Sequence, residues 1–308
     1  MCCLFGLIDY GNYFTGKQRN RILSVLAKEC EVRGTDATGI AYNENGKLRI
    51  YKRPLPAHLL PMKIPAPVKV VMGHTRMTTQ GSAKRNRNNH PFPGKAGGIS
   101  FALAHNGVIY NDLMLRREKK LPHTKIQTDS YIGVQLIEQK NTLDLNSLKD
   151  MAEQVKGTFV FTVLDEKDNL YFIKGNNPLC MYHYPKMGVI LYASTEEILK
   201  SALRKLPFCM ERPKRMEFSY GDVLKIDGNG RMETITFQTD MFLQEWYPAS
   251  MGCWGYGLST DYGLDDSYVE DLKSLAGNFG YSPEDVDTLL GEGFLPEELE
   301  AFFYCGEL

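Results

Sequence analysis

The 308-residue chain has no run of 18 apolar residues, the length a membrane-spanning helix needs. Its start, Met1-Cys2-Cys3-Leu4-Phe5-Gly6, lacks both the basic segment and the apolar stretch of a secretory signal. Cysteine is sparse and odd in number: Cys2, Cys3, Cys30, Cys180, Cys209, Cys253 and Cys305 are scattered without a C-x-x-C pair. That argues against a zinc site or disulfide framework and for a reducing compartment. The expectation is a cytoplasmic protein with no membrane partner. Repeats of solenoid length and phosphate-binding glycine loops are also missing, and no metal role follows from the six histidines. A formal net charge of -1 excludes a strongly basic chain that grips phosphate backbones, so no nucleic acid is expected as a partner.

What is present is enough apolar material, 43% of residues in 34.9 kDa, for about two domains. The charge is unevenly spread. From Asp261 onward there are 13 acidic residues and one basic residue, Lys273, a net of -12, which leaves +11 on residues 1–260. Leu4 to Ile8 reads as a buried strand, and Ile22, Val25, Leu26 and Cys30 recur at helical spacing. Five prolines between Pro54 and Pro67 make that stretch a loop, and Val68 to Met72 then forms a strand whose end delivers Gly73 and His74. Strand-like runs follow at 100–104, 158–164, 170–174 and 189–193, with amphipathic helices at 129–138 and 145–155. Ser194 and Glu197 have the spacing of a capping box that opens another helix. Runs of strands alternating with paired helices indicate a layered architecture.

Near 246–258 the composition shifts to glycine and aromatics. Three short helical signals follow, at 267–277, 282–291 and 296–304, with Leu272, Leu275, Phe279, Val286, Leu289, Leu290, Leu299, Phe302 and Phe303 as apolar positions for a small core. Ser282-Pro283-Glu284-Asp285 combines an N-cap, a proline at the first helical position and early negative charge. The expected division is a main domain over 2–240, a linker over 241–262 and an acidic three-helix module over 263–308.

Chemistry concentrates in a few segments. Removal of Met1 would leave Cys2 with a thiol and a free α-amine, so nucleophile and base would share one residue. The amine's ordinary pKa of ~7.7–8.0 suits a proton acceptor near neutral pH. Polar motifs at expected strand ends, Gly73 to Gly81, Ala104 to Gly107 and Gln127 to Ser130, supply what carboxamide hydrolysis needs. Asn106 and the Gly107 N–H are candidate donors to a carbonyl oxygen that gains charge. Arg76 and Asp129 complement an α-carboxylate and an α-ammonium. Each feature also has a plainer interpretation: an inert buried thiol at Cys2, a surface ion pair for Arg76 and Asp129, a hairpin turn at Asn106-Gly107, and structural hydrogen bonding for His74, His90 and His105.

Taken in order, the motifs resemble the class II glutamine amidotransferases, glutaminase domains built on the N-terminal-nucleophile (Ntn) hydrolase fold. They are Met-Cys-x-x-Phe-Gly at 1–6, Arg33-Gly34-Thr35-Asp36-Ala37-Thr38-Gly39-Ile40, Gly-His-Thr-Arg at 73–76, Asn89-His90-Pro91, His-Asn-Gly at 105–107, Asp129 and Ala193-Ser194. The resemblance covers roughly residues 2–240. It implies an α+β fold, a four-layer αββα sandwich to which the three-helix module is appended. By matched position it implies Cys2 as nucleophile, Asn106 and Gly107 as oxyanion hole, and Arg76, Thr79, Gly81 and Asp129 around glutamine, with Arg33, His74 and His105 in support.

The same resemblance implies a glutamine amidohydrolase that releases ammonia through a γ-glutamyl thioester, with no cofactor, and leaves room for a separate ammonia-accepting synthase subunit. Hydrolysis of another γ-glutamyl amide, or a glutamine-binding regulatory role without turnover, stays open. Met77, Thr78 and Gln80 depart from the family loop, which usually has Trp, Ala and His there, and Cys3 stands where glycine is usual.

Overall fold

The computed structural model describes residues 2–239, then residues 269–291 except 271, 274, 275, 278 and 279, and residue 299. Two antiparallel sheets dominate. The first runs, in spatial order, Lys214–Arg215 (β11), Cys180–Tyr184 (β9), Val189–Ala193 (β10), Cys3–Asp9 (β1), Val70–Arg76 (β4), Ala37–Glu44 (β2) and Lys47–Arg53 (β3). The second runs Met232–Thr236 (β13), Asp222–Ile226 (β12), Leu170–Lys174 (β8), Gly157–Asp165 (β7), Ile99–Ile109 (β6) and Phe92–Ala96 (β5).

Side-chain alternation explains the stacking. In β1, Cys3, Phe5 and Leu7 pack with Ile22, Leu23 and Leu26 of helix α1 (Gly16–Glu29) and with Leu199 of a later helix, Glu196–Arg204. Leu4 and Ile8 point the other way, onto Ala102, Ala104, Val160 and Leu164 of the second sheet. The far face of that sheet is covered by Tyr131–Lys140 and Leu145–Ala152, which bury Ile132, Ile137, Leu148 and Met151 against Leu103, Phe161 and Val163. Both sheets are therefore sandwiched, and β1 reads as an unbroken apolar run because neither of its faces meets water. Fully burying one such Leu, Ile or Phe side chain stabilises by about 1.5–3 kcal/mol. The αββα order expected from the resemblance is the order observed.

The proline-rich stretch is tied down by polar contacts rather than by regular structure, apart from one short turn of 3-10 helix at Ala57–Leu59. Arg19 of α1 pairs with Asp9 at 3.2 Å in a buried ion pair and also donates to the Ala66 carbonyl. Asp9 accepts from the N–H groups of Tyr13 (2.7 Å) and Phe14 (3.1 Å), which leaves its carboxylate well satisfied. Asn20 exchanges two hydrogen bonds with the backbone of Ile64, at 2.9 and 3.0 Å.

Three sequence expectations change. β4 continues to Arg76, so Gly73 and His74 lie inside the strand rather than at its end. The same holds for His105, Asn106 and Gly107 in β6; they pair with Phe161, Val160 and Phe159 of β7, which removes the hairpin-turn interpretation. The helix at Glu196–Arg204 is capped by Thr195, whose hydroxyl accepts from Ile198 N–H at 3.4 Å, because the Ser194 hydroxyl is engaged elsewhere. In the tail, Pro283–Gly291 is helical and Ser282 caps it reciprocally with Asp285. Leu272, Ala276, Val286 and Leu299 bury together, with Leu289 and Leu290 against them. The expectations for Leu275, Phe279, Phe302, Phe303 and the 241–262 linker lie outside the described residues.

Replacing Arg19 with Met, or Asp9 with Asn, removes half of the buried pair and strands the partner's charge or polar atoms. Urea unfolding should show a loss of about 3–5 kcal/mol for Arg19→Met. A loss under ~1 kcal/mol would show that the pair behaves as a surface bridge.

Candidate active site

Cys2 stands one residue before β1 and is half-buried. Its carbonyl accepts from Arg33 Nε at 2.9 Å, and its Sγ lies 3.4 Å from the Met77 carbonyl. Burial pushes the thiol above its ordinary pKa, while a backbone hydrogen bond at Met77 and the Arg76 guanidinium pull the other way. The thiol is therefore protonated near neutral pH, and attack through sulfur calls for a base beside it.

Asn106 reaches the same place from the second sheet. Ser194 N–H donates to the Leu4 carbonyl at 3.0 Å, and the Ser194 hydroxyl accepts from Leu4 N–H at 2.9 Å and from Asn106 Nδ2 at 3.3 Å. The side-chain amide is thus tethered two residues from Cys2. The Asn106 carbonyl takes Nδ2 of Asn177 at 2.8 Å. Gly107 follows with φ +145°, and a Cβ there would lie 1.8 Å from the Thr158 carbonyl, so only glycine fits.

Arg76 and Asp129 are both buried, at 3% and 4% exposure, which removes the surface-pair interpretation. Each is held by other groups. Arg76 donates to Asn89 Oδ1 at 2.7 Å, to the Gly81 carbonyl at 2.9 Å and to the Gln80 carbonyl. Asp129 Oδ2 accepts from Ile109 N–H at 2.8 Å, and Oδ1 lies 3.3 Å from the Ser130 hydroxyl. The Arg76 guanidinium pulls the Cys2 thiol down and Asp129 pushes it up, so both side chains lie near the sulfur. Thr79 is half-exposed in the loop that joins Arg76 to Gly81.

Three histidines lie behind this cluster. His74 bonds the His105 carbonyl at 3.0 Å, and His105 bonds the Ser130 hydroxyl at 2.8 Å and the Thr158 carbonyl at 3.3 Å. His90 departs from the expected structural hydrogen bonding: both ring nitrogens are buried without a hydrogen-bond partner, and the ring packs on His74 at 4.1 Å and Phe92 at 4.5 Å between centroids. Burial pulls His74 down to about 3 and His90 and His105 below the ordinary range. Lys52 donates to the Asn89 and Pro91 carbonyls, and burial, reinforced by Arg76, pulls it down to about 8.

Sequence reasoning passed over Asn89 as an anchor for Arg76, the Ser194 hydroxyl as a strut between strands, and Asn177. Asn89 and Ser194 fall within the family motifs; Asn177 sits in an ordinary Asn-Asn-Pro segment whose sequence carries no signal of a role. Two basic stretches, Lys84-Arg85-Asn86-Arg87 and Arg116-Arg117-Glu118-Lys119-Lys120, reach the segment before Asp129, because Arg85 donates to Gln127 at 2.9 Å and Arg116 to the Thr128 carbonyl at 3.1 Å. Among the described residues, no helix is long and apolar enough to cross a membrane.

In the unfolded chain each histidine takes up a proton near pH 6.5, whereas burial holds His105 below that value and His74 and His90 well below it. The unfolded state then binds more protons, so stability is complete above pH 6.5 and falls as pH drops through that value, by about 1.4 kcal/mol per unit for each of His74 and His90, with a further contribution from His105. For His74 the loss continues to about pH 3. Urea midpoints taken from pH 7.5 down to 5.5 should decline accordingly; a flat profile contradicts neutral burial.

Residues 74–201 match a family described as "Glutamine amidotransferase domain". Curated relatives include the glutamine--fructose-6-phosphate aminotransferase of Bacillus licheniformis, 32% identical over 182 residues, which are 56% of this chain and 29% of that protein. The same enzyme of Aquifex aeolicus is 32% identical over 157 residues, 48% of this chain and 26% of that protein. The matched stretch thus spans less than a third of these relatives' length. Among solved structures, the glutamine phosphoribosylpyrophosphate amidotransferase of B. subtilis is similar in fold, with a TM-score of 0.61 and 21% identity over 77% of this chain and 50% of that one.

Proposed function

Because this chain carries a glutamine amidotransferase domain of the class II, N-terminal-nucleophile type, we propose that it releases ammonia from glutamine with Cys2 as the attacking residue. What supports this reading is the convergence on Cys2 of a buried cation and a buried anion, each pinned by separate partners. Free α-amino acids carry that pair of charges, and a γ-carboxamide held by them extends toward the sulfur.

The steps follow from the groups at the site. Once Met1 is removed, the α-amine of Cys2 takes the thiol proton, as a thiol raised by burial requires. Sulfur attacks the carboxamide carbon, and the oxygen that gains charge is met by Asn106 Nδ2 and the Gly107 N–H. The C–N bond breaks, the ammonium proton passes to the leaving nitrogen, and ammonia departs. Water then attacks the γ-glutamyl thioester, returning the thiol and releasing glutamate. Arg76 and Asp129 hold the α-carboxylate and α-ammonium throughout, with Thr79 and Gly81 lining the same loop, and Arg33 fixes the Cys2 carbonyl. An ammonia-accepting synthase partner belongs to this proposal; fructose-6-phosphate is the acceptor named for the aminotransferase relatives, not for this chain.

The test is ammonia release from glutamine, with intact mass measured on the same sample. Active protein should lack Met1, and Cys2→Ala should lose turnover while still binding glutamate. Asn106→Ala should lower kcat by ~10²–10³ with little change in KM, since an oxyanion donor acts mostly in the transition state. Arg76→Ala and Asp129→Ala should chiefly raise KM. Fully active protein that keeps Met1 would overturn the amine mechanism, and one kinetic signature shared by all three variants would overturn the separate roles.

A further inference from the structure

Arg76 and Asp129 stand 53 positions apart in the chain and share no hydrogen bond in the structure, yet their charges must keep a set separation to fit one amino acid. One residue touches both. The Gln80 carbonyl accepts from Arg76 Nη2, and the Gln80 side-chain Oε1 accepts from the backbone N–H of Asp129. The flanking chain reinforces the bridge. Gly81, at φ +68°, lies so close to the Gln127 carbonyl that a Cβ would approach it to 2.4 Å. Asn88 Oδ1 accepts from Gln127 N–H at 3.1 Å, and Arg85 reaches the Gln127 side chain at 2.9 Å. The segment before Asp129 is thus docked on the loop after Arg76, and Gln80 is the point where the docking reaches the aspartate.

We propose that Gln80 is a positioning residue that sets the spacing of the two charges and thereby the preference for substrates that carry an α-ammonium as well as an α-carboxylate. This rests on the glutaminase reading and adds a specificity determinant to it. A neutral amide oxygen suits the task. It accepts the Asp129 N–H without placing a second negative charge beside the Asp129 carboxylate, where like-charge repulsion would favour protonating one of the two. A leucine of similar size would fill the space and leave that N–H unsatisfied, freeing the turn that carries Asp129. A glutamate would keep the acceptor but change the charge.

The discriminating comparison is glutamine against its desamino analogue, glutaramate, which keeps the carboxylate and the carboxamide. Gln80→Leu should reduce the ratio of kcat/KM for glutamine over glutaramate by about 10- to 100-fold, the range for losing the charge-assisted hydrogen bond between the substrate ammonium and a displaced Asp129, while glutaramate turnover changes little. A general loss of structure would lower both substrates together and leave the ratio unmoved, and that outcome overturns the proposal. Gln80→Glu should lose preference too, by raising KM for glutamine. A binding arm separates this proposal from the glutaminase reading: calorimetry of L-glutamate and glutarate on full-length wild type and Gln80→Leu needs no turnover. If wild type releases no ammonia but prefers glutamate to glutarate, and Gln80→Leu erases the preference, the positioning role stands while the glutaminase reading falls. If wild type shows no such preference, the positioning role falls.

Discussion

The site depends on β1 having no exposed face. Its neighbours β10 and β4 hydrogen-bond it on both edges, helix α1 covers one surface and the second sheet the other, so a slip of one residue would exchange Phe5 and Leu7 with Leu4 and Ile8 in two dissimilar cores. Register is therefore locked, and with it the position of Cys2 immediately ahead of the strand. Ser194 then carries that position across to the second sheet, because one hydroxyl serves both Leu4 and Asn106. Cys2 is thereby held next to a strand that is packed on both faces.

Electrostatically the site is built from few charges in a poorly hydrated place. The imidazoles of His74, His90 and His105 are kept neutral by burial, which leaves Arg76 and Asp129 as the principal charges facing Cys2. Arg76 is compensated by carbonyl and amide oxygens instead of a carboxylate, so its full charge remains for an incoming anion. Asp129 likewise is satisfied by N–H and hydroxyl donors rather than by a cation. Two buried charges that do not neutralise each other destabilise the empty fold and favour a ligand that carries the complementary pair, a trade often seen where binding is at stake.

The positions that depart from the family's usual loop separate under this view. Met77 is 51% exposed and its carbonyl faces the thiol, so its side chain is not part of the packing that holds the site. Gln80 is integrated, through both its backbone and its side chain. Cys3 packs into the helix-facing core, where a small apolar residue is all that the neighbouring Cys30 and Phe5 require.

By itself the sequence determined the strands with continuous apolar runs, the capped helix at Ser282, and the short polar motifs, because each of these is written in neighbouring residues. It also carried, through motif order, the sandwich and the identity of Cys2, Arg76, Asn106 and Asp129 as candidates. Only the tertiary structure decided where the strands stop. β4 and β6 run on through polar residues because partner strands extend alongside them, Leu4 and Gly39 flanking His74, Ala37 opposite Arg76, and Phe161 and Val160 opposite His105 and Asn106, while His74 and Asn106 also bond across to the other sheet, a reward no local pattern records. Local spacing marks Ser194 as a cap, whereas its hydroxyl is engaged by Leu4, 190 positions away. The separation of Arg76 from Asp129 is likewise a property of the folded loops, since it is set by Asn89, Gln80, Gly81 and Ile109, which come together only when both sheets have formed.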